Sequence, residues 1–287
     1  MTAALTQRTD EWLNFRKKGV GASDAPIIMG VSPWKTPFQL WQEKLDLRTP
    51  PTVNFIDKEE EARQFFQKEM GIEISQDIII HRDVGWRFAS LDGINRKHKI
   101  LLEIKSSGEK DHNFVKTHRK APEKYYPQLQ HAIDVVGTQV EHIDKCYYLS
   151  YVNEHDNIIL EIKRDDEYIK NLIKKEEDFF YCMKNFISPE LTHKDYVLID
   201  NPMWEETVKE LIELSDSISK LENREKELKD ILIAISEGCS CRGAGIKLCR
   251  STRKGNIDYN RIEALKGIDL ERYRKPPVEC WKIMKDA

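Results

Sequence analysis

The residues whose types and spacing suggest chemistry lie in two short runs. Asp92 sits near the end of FASLDGI, and eleven residues later Glu103 and Lys105 stand two apart in ILLEIK. Side chains on a strand alternate between faces, so Glu103 and Lys105 project together while Ile104 points into the core. If the two runs pair, Asp92 and Glu103 converge on one cation with Lys105 beside it. Carboxylate oxygens are hard ligands of the kind Mg²⁺ takes, and Mg²⁺ keeps several waters for itself and for phosphate oxygens. A metal so held acidifies an attacking water and neutralises the charge that grows during phosphodiester hydrolysis. A lysine beside it orients or deprotonates that water and adds positive charge in the transition state. The backbone carbonyl of Ile104 is a further candidate oxygen ligand. By itself, an E-x-K on a strand with an upstream Asp is also the pattern of a plain solvated face.

Two other groups join this candidate centre. Glu59, in DKEEEARQFF, falls on a predicted helix ahead of the strands and offers a third acid, with Glu60 and Glu61 as open alternatives. Gln128 and Gln130, in YYPQLQHAI, fall on a helix after them, where a glutamine can hydrogen-bond the attacking water. Acidic and polar helix faces turned to solvent produce the same local patterns.

The elements that must position these residues follow from periodicity and punctuation. A short helix over 10–19 ends at Gly19, Ser23 or Asp24 caps a short helical run to Gly30, and a further helix ends at Leu45. A helix from about Asn54 to Met70 is closed by Gly71. Three β-rich runs come next (IEISQDIIIHRD, GWRFASLDGI, HKILLEIKSS), then a helix over 122–136, two strands (CYYLSYVN, NIILEIKR) and an amphipathic helix from Asp165 to Phe186. Helices, three strands, helix, two strands, helix indicates an α/β (α+β) fold with a central mixed sheet flanked by helices. The core is placed at 1–190. Residues 191–287 form an extension, with one long charged helix over 203–237 and a Gly/Cys/Arg segment over 238–255.

Composition sets bounds without choosing a function. The net charge of −3, from 46 basic and 49 acidic residues, gives no whole-protein positive field for nucleic acid. Arg242, Lys247, Arg250, Arg253 and Lys254 form a local basic stretch, suited equally to tracking a phosphate backbone or to balancing the acidic helix before it. No apolar run approaches the roughly 18 residues of a membrane span, and the N-terminus shows no secretory signal, so a cytoplasmic location is expected. Cys239, Cys241, Cys249 and Cys280 have no standard zinc spacing and read as unpaired thiols. Trp34 and Trp41 could stack at a DNA end, but tryptophans in a helix–loop corner are more often core.

The ordered set of motifs resembles the YqaJ-type viral recombinases, relatives of the phage lambda exonuclease within the PD-(D/E)XK nucleases. The resemblance rests on W-x3-R-x2-G-x-G-A-S-D from Trp12 to Asp24, then SPW-K-TP-x2-LW from Ser32 to Trp41. It continues through E-x2-A-R from Glu59 to Arg63, LDG, LLEIK, and Y-x2-Q-L-Q-H from Tyr125 to His131. It implies a restriction-endonuclease-like core and a metal-dependent 5′→3′ exonuclease that resects double-stranded DNA ends for single-strand annealing recombination, of phage or prophage origin. Asp92, Glu103 and the Ile104 carbonyl would hold Mg²⁺, with Mn²⁺ as a substitute. Glu59 would be the additional acid, Lys105 the catalytic lysine, and Gln130 or Gln128 the water-positioning glutamine. Arg16 and Ser23 match the pair that binds the 5′-phosphate of the DNA end. The implied partners are double-stranded DNA ends, a single-strand annealing protein and further copies of the chain, as a homo-oligomer or ring. The competing readings are an endonuclease of the same fold and a non-catalytic DNA-binding module. One departure is Phe55, where the family often has Gly four residues before the helix acid.

Overall fold

The computed structural model describes residues 9–49, 58–106, 108–140, 143, 145–258, 261–265, 268, 273, 275, 278 and 283. The chain divides into two compact units, residues 1–197 and 198–287.

In the first unit α1 (Asp10–Lys17) leads into β1 (Val20–Gly21), a 3-10 turn over Ala22–Asp24, and α2 (Ala25–Ile28). The helices α3 (Pro37–Lys44) and α4 (Glu59–Met70) precede β2 (Ser75–Ile80), β3 (Arg87–Asn95) and β4 (Ile100–Lys105). After α5 (Glu109–His118) and α6 (Tyr126–Gly137) come β5 (Lys145–Asn153), β6 (Asp156–Lys163) and α7 (Asp166–Asn185). The expected strands and the expected mixed sheet are present. The expected start of α4 near Asn54 lies outside the described residues. The helix α5 was not foreseen, because EKDHNFVKTH is nearly all polar; His112 and Val115 are its buried residues.

All six strands form one sheet in the order β1-β3-β4-β5-β6, with β2 on the other edge of β3. β1–β3 and β4–β5 are parallel, and the other pairs are antiparallel. Two features of β3 matter. Its edge opposite β2 is shared: β1 pairs with Arg87 and Phe88, β4 with Gly93 to Asn95, so the intervening stretch is open. Against β2, Ser75 pairs with Ile94 and Asp77 with Leu91, so three steps on β3 match two on β2. This β-bulge falls at Asp92–Gly93, and a bulge re-aims the side chain it carries. Gly93 is required by close approach, since a Cβ there would lie 2.2 Å from Ile74 Cγ2. Gly19 is likewise required, because its Cβ would lie 2.3 Å from the Trp86 carbonyl oxygen.

One face of the sheet packs Ala89, Leu91, Leu101 and Tyr148 against Leu129, Ala132, Ile133 and Val136 of α6. The other packs Leu102, Ile104 and Leu149 against Ala62 and Phe66 of α4. A third cluster joins Val20, Ile28, Leu40 and Trp41 to Phe179 and Met183 of α7. Through the first layer runs a buried polar network. Arg87 binds Asp134 of α6 at 2.7 Å and Glu176 of α7 at 2.8 Å. His131 bridges Glu176 at 2.6 Å and the Phe88 carbonyl at 2.9 Å. The network ties α6 and α7 to β3, although Arg87 Nη2 finds no hydrogen-bond partner within it.

Trp41 is core as expected, 8% exposed, with its indole N–H donating to the Cys182 carbonyl at 3.2 Å. Trp34 is not: it is 67% exposed. The first tryptophan lies in the loop before α3 and the second lies within that helix, on the side covered by α7.

In the second unit Asn201 caps α8 (Pro202–Ile235), a single helix of 34 residues. A small hairpin of β7 (Cys241–Gly243) and β8 (Ile246–Leu248) follows, with Arg242 paired to Lys247 across it. Cys239, Cys241 and Cys249 are free thiols. Cys280 and Trp281 lie outside the described residues. No described helix is long and apolar enough to cross a membrane.

Candidate active site

The site grows from the point where β3 and β4 stop pairing. Their last ladder pair is Gly93–Leu102, so the next pair would be Asp92–Glu103. The bulge turns Asp92 there, and its Oδ2 accepts the Ile104 backbone N–H at 2.8 Å. Its own carbonyl accepts from Arg63 Nε of α4 at 2.7 Å. Asp92 is thus held through both side chain and backbone.

Glu103 is 4% exposed and projects from β4 toward α6. Its Oε1 lies 2.6 Å from Lys105 Nζ and accepts from Gln128 Nε2 at 2.6 Å. The side-chain amide Oε1 of Gln128 in turn accepts from Lys105 Nζ at 3.1 Å, closing a three-residue ring of contacts. Alternation along ILLEIK accounts for the two charged residues sharing a face.

Electrostatics at this point are strained. Burial, then the nearby Glu103 carboxylate, pushes the Asp92 carboxyl well above its ordinary range, with Glu59 adding to the effect and Lys105 opposing it. Burial lowers the tendency of Lys105 to hold its proton, but Glu103 and Asp92 outweigh that, and its ammonium is held above the usual lysine value. Two buried carboxylates beside one ammonium remain short of positive charge. That shortage, with an oxygen-only donor set, fits a hard divalent cation. Asp92, Glu103 and the Ile104 carbonyl are the groups that would hold it. Among the described residues, no three His, Cys, Asp or Glu side chains form a ready-made metal cluster.

The three candidate acids on α4 separate clearly. Glu59 is the one whose charge reaches Asp92, and its Oε1 is held by Arg63 at 2.6 Å and Gln76 at 2.6 Å. Glu60 pairs with Arg63 and Gln64, its side chain 68% exposed, and Glu61 accepts from the Tyr151 hydroxyl at 2.8 Å. Glu59 therefore borders the centre, with Asp92 and Glu103 as its inner pair.

The two glutamines also separate. Gln128 faces the centre; Gln130 does not. Gln130 is fully buried, donating to the Lys163 carbonyl at 2.8 Å and accepting from the Asp165 N–H at 2.9 Å. Two positions apart on an α-helix point about 200° apart, so one pair of glutamines serves two jobs.

Arg16 and Ser23 do come together, with Arg16 Nη2 donating to Ser23 Oγ at 2.9 Å, and Ser23 is exposed. Ser23 lies in the 3-10 turn rather than capping a helix, and α2 has four residues, so the side-chain pair rather than a helix terminus offers the anion site. Asp24, the other expected cap, does stand at the N-cap position of α2, but its carboxylate accepts from Lys44 at 2.5 Å and from the Gly21 N–H at 2.9 Å, fixing the turn from inside.

Two residues were not assigned roles from sequence. Arg63 joins the Asp92 carbonyl to Glu59. Tyr125 places its ring 5.1 Å from Lys105 Nζ, a cation–π contact. Burial, with Asp111 beside it, pushes the Tyr125 phenol up to about 12. Both residues stood inside the motifs quoted above, but a ring packed on a lysine leaves no spacing signature.

Residues 11–139 match the model of the YqaJ-like viral recombinase domain. The chain is 31% identical over 185 residues to the uncharacterized protein YqaJ of Bacillus subtilis (strain 168), covering 60% of this chain and 55% of that one. It therefore spans little more than half the length of that relative. Among solved structures it is similar to LHK-Exo in complex with dAMP, at a TM-score of 0.53 and 22% identity over 62% of this chain and 94% of that one. The alkaline exonuclease LHK-Exo from Laribacter hongkongensis gives 0.53 and 21% over 62% and 94%. At these identities the structural likeness speaks for the fold. The motif order and the family match agree: over residues 11–139 this chain is similar to the YqaJ-like viral recombinase domain.

Proposed function

We propose that the chain is a Mg²⁺-dependent 5′→3′ exonuclease on double-stranded DNA, with Mn²⁺ able to substitute, that resects ends for single-strand annealing recombination. The observation that carries this reading is the convergence of Asp92, Glu103, Lys105 and Gln128 where β3 and β4 part. When bound there, the cation supplies charge neutralisation at the phosphate and makes the attacking water more acidic.

The protein's own groups do the rest. Asp92 and Glu103 are the two carboxyl groups that would face the cation, oriented by the Ile104 N–H and by Gln128. Lys105 brings its ammonium to the side of Glu103 that faces α6, where it stabilises charge developing on the phosphate. Gln128 offers an amide that can orient the attacking water, because its geometry is already set by two partners. Glu59 and Arg63 buttress Asp92 from α4. Arg16 and Ser23 take the 5′-phosphate, the guanidinium adding a charge-assisted donor to the hydroxyl. An end-binding pair favours an exonuclease, since an endonuclease has no terminus to hold. The same reading has the chain act as a homo-oligomer and hand its product strand to a single-strand annealing protein.

The test is digestion of a linear duplex labelled at the 5′ or the 3′ end, beside a closed circle, with Mg²⁺ or EDTA. Early release of the 5′ label, an intact circle and no reaction in EDTA are expected. A cut circle would convert the proposal into an endonuclease, and early release of the 3′ label would reverse the polarity.

A further inference from the structure

Trp34 is a large apolar side chain left in solvent on a loop that is otherwise tied down. The N–H groups of Val31 and Ser32 both donate to the Pro26 carbonyl at 3.0 Å. Thr36 caps α3 and donates its hydroxyl to Asp195 at 2.6 Å. Ser32 and Thr36 are buried, yet Trp34 between them is 67% exposed. The loop is thus held in place while its indole faces water; a lone exposed ring needs no partner, so its neighbours decide whether it has a role.

What surrounds the indole indicates its chemistry. Lys124 Nζ lies 4.5 Å from the Trp34 ring and 5.2 Å from the Tyr125 ring. Lys124 is anchored by Asp111 at 2.7 Å. The Trp34 and Tyr125 rings are 6.4 Å apart, and Tyr125 in turn lies 5.1 Å from Lys105 Nζ. Aromatic and cationic groups thus alternate in an unbroken row from solvent to the centre: Trp34, Lys124, Tyr125, Lys105. Interleaved aromatic rings and positive charges are what unpaired nucleotides bind, the rings stacking on bases and the charges following phosphates.

We propose that Trp34 is a stacking platform for an unpaired nucleobase of the strand being degraded, next to its scissile phosphate. The inference rests on the nuclease reading above and extends it: the enzyme would engage a frayed end, one strand lifted from its complement and held by base stacking. The contact is independent of base identity, because every base has a π face.

The experiment measures equilibrium binding of the full chain to two duplexes by fluorescence anisotropy, with Ca²⁺ in place of Mg²⁺ to suppress cleavage. The duplexes differ only in carrying normal or abasic residues at the last three positions of the 5′ strand. The wild type is expected to bind the base-bearing end roughly 10-fold more tightly, the scale of one base–aromatic stack. Trp34→Ala should bind both ends alike, and Trp34→Phe should recover most of the preference. Equal binding of the two ends by the wild type, or a preference retained in Trp34→Ala, would overturn the stack. Cleavage of the base-bearing duplex in Mg²⁺ separates the two readings. A wild type that cleaves but shows no preference loses only the stack, whereas one that neither binds nor cleaves loses the nuclease reading with it.

Discussion

The carboxylate of Asp92 accepts the Ile104 backbone N–H at 2.8 Å, across the fork where β3 and β4 cease to pair. A side chain has replaced a strand partner. The bulge at Asp92–Gly93 makes this possible, and it brings two carboxylates together with less positive charge than they need.

Asp92→Asn keeps an oxygen for the Ile104 N–H and removes the ionisable carboxyl that is buried beside Glu103. In EDTA its Tm should match or exceed the wild type by a few degrees. Saturating Mg²⁺ should raise the wild-type Tm, because a ligand bound only by the folded state stabilises it, and should leave the variant nearly unmoved. Differential scanning fluorimetry with and without Mg²⁺ reads both effects; equal Mg²⁺ shifts would remove Asp92 from the metal site.

The glutamines give a paired prediction. Gln128→Ala should slow cleavage about 10- to 100-fold with little change in Tm, because it loses the positioning of the centre. Gln130→Ala leaves the Lys163 carbonyl and Asp165 N–H without partners. It should cost about 1–3 kcal/mol of stability and leave the rate per folded molecule unchanged. Chemical denaturation and single-turnover kinetics on both variants decide it, and exchanged effects would exchange the roles.

Much of this centre was legible in the sequence. Alternation in ILLEIK put Glu103 and Lys105 on one face, and the LDG run put Asp92 beside a glycine, but β3 continues through Asp92 to Asn95 instead of ending there. The bulge was not legible, since an extra residue in β3 appears only when its register with β2 is known. The choice between Gln128 and Gln130 needed the rotation of α6 about its axis, and the choice among Glu59, Glu60 and Glu61 needed Arg63 and Tyr151 in place. The helix α5 has too few apolar residues to announce itself; His112 earns its burial through Ser150 at 2.9 Å and Asp156 at 3.1 Å. Trp34 misled for a similar reason: residue type predicts average burial, and an exposed tryptophan is an exception that sequence does not mark.

Acid should loosen the network behind α6. Burial pushes the Asp134 carboxyl up, but hydrogen bonds and charge from Arg87 and Arg164 outweigh it and hold the group below its ordinary value. A carboxyl depressed in the folded state contributes stability that is complete above the unfolded value, about 3.9, and is lost as pH falls through the folded one. Asp134→Asn should therefore be less stable than the wild type at pH 7, with the two denaturation midpoints converging as pH falls below about 4. A constant difference down to pH 2 would show that Asp134 does not contribute as a charge.

Removing the 5′-phosphate from a linear duplex should slow digestion by the wild type. Arg16→Ala should digest phosphorylated and unphosphorylated ends at one common, slower rate. A phosphate preference that survives in Arg16→Ala would assign the 5′-phosphate to other groups.

The central claim is that Asp92, Glu103 and Lys105 form a centre for phosphodiester hydrolysis, and Lys105→Ala tests it most directly. Its cleavage of linear duplex should be measured at saturating Mg²⁺ beside its DNA affinity, with circular dichroism confirming the fold. The account predicts cleavage abolished and affinity largely retained. Cleavage persisting at a wild-type rate in a folded Lys105→Ala protein would contradict it.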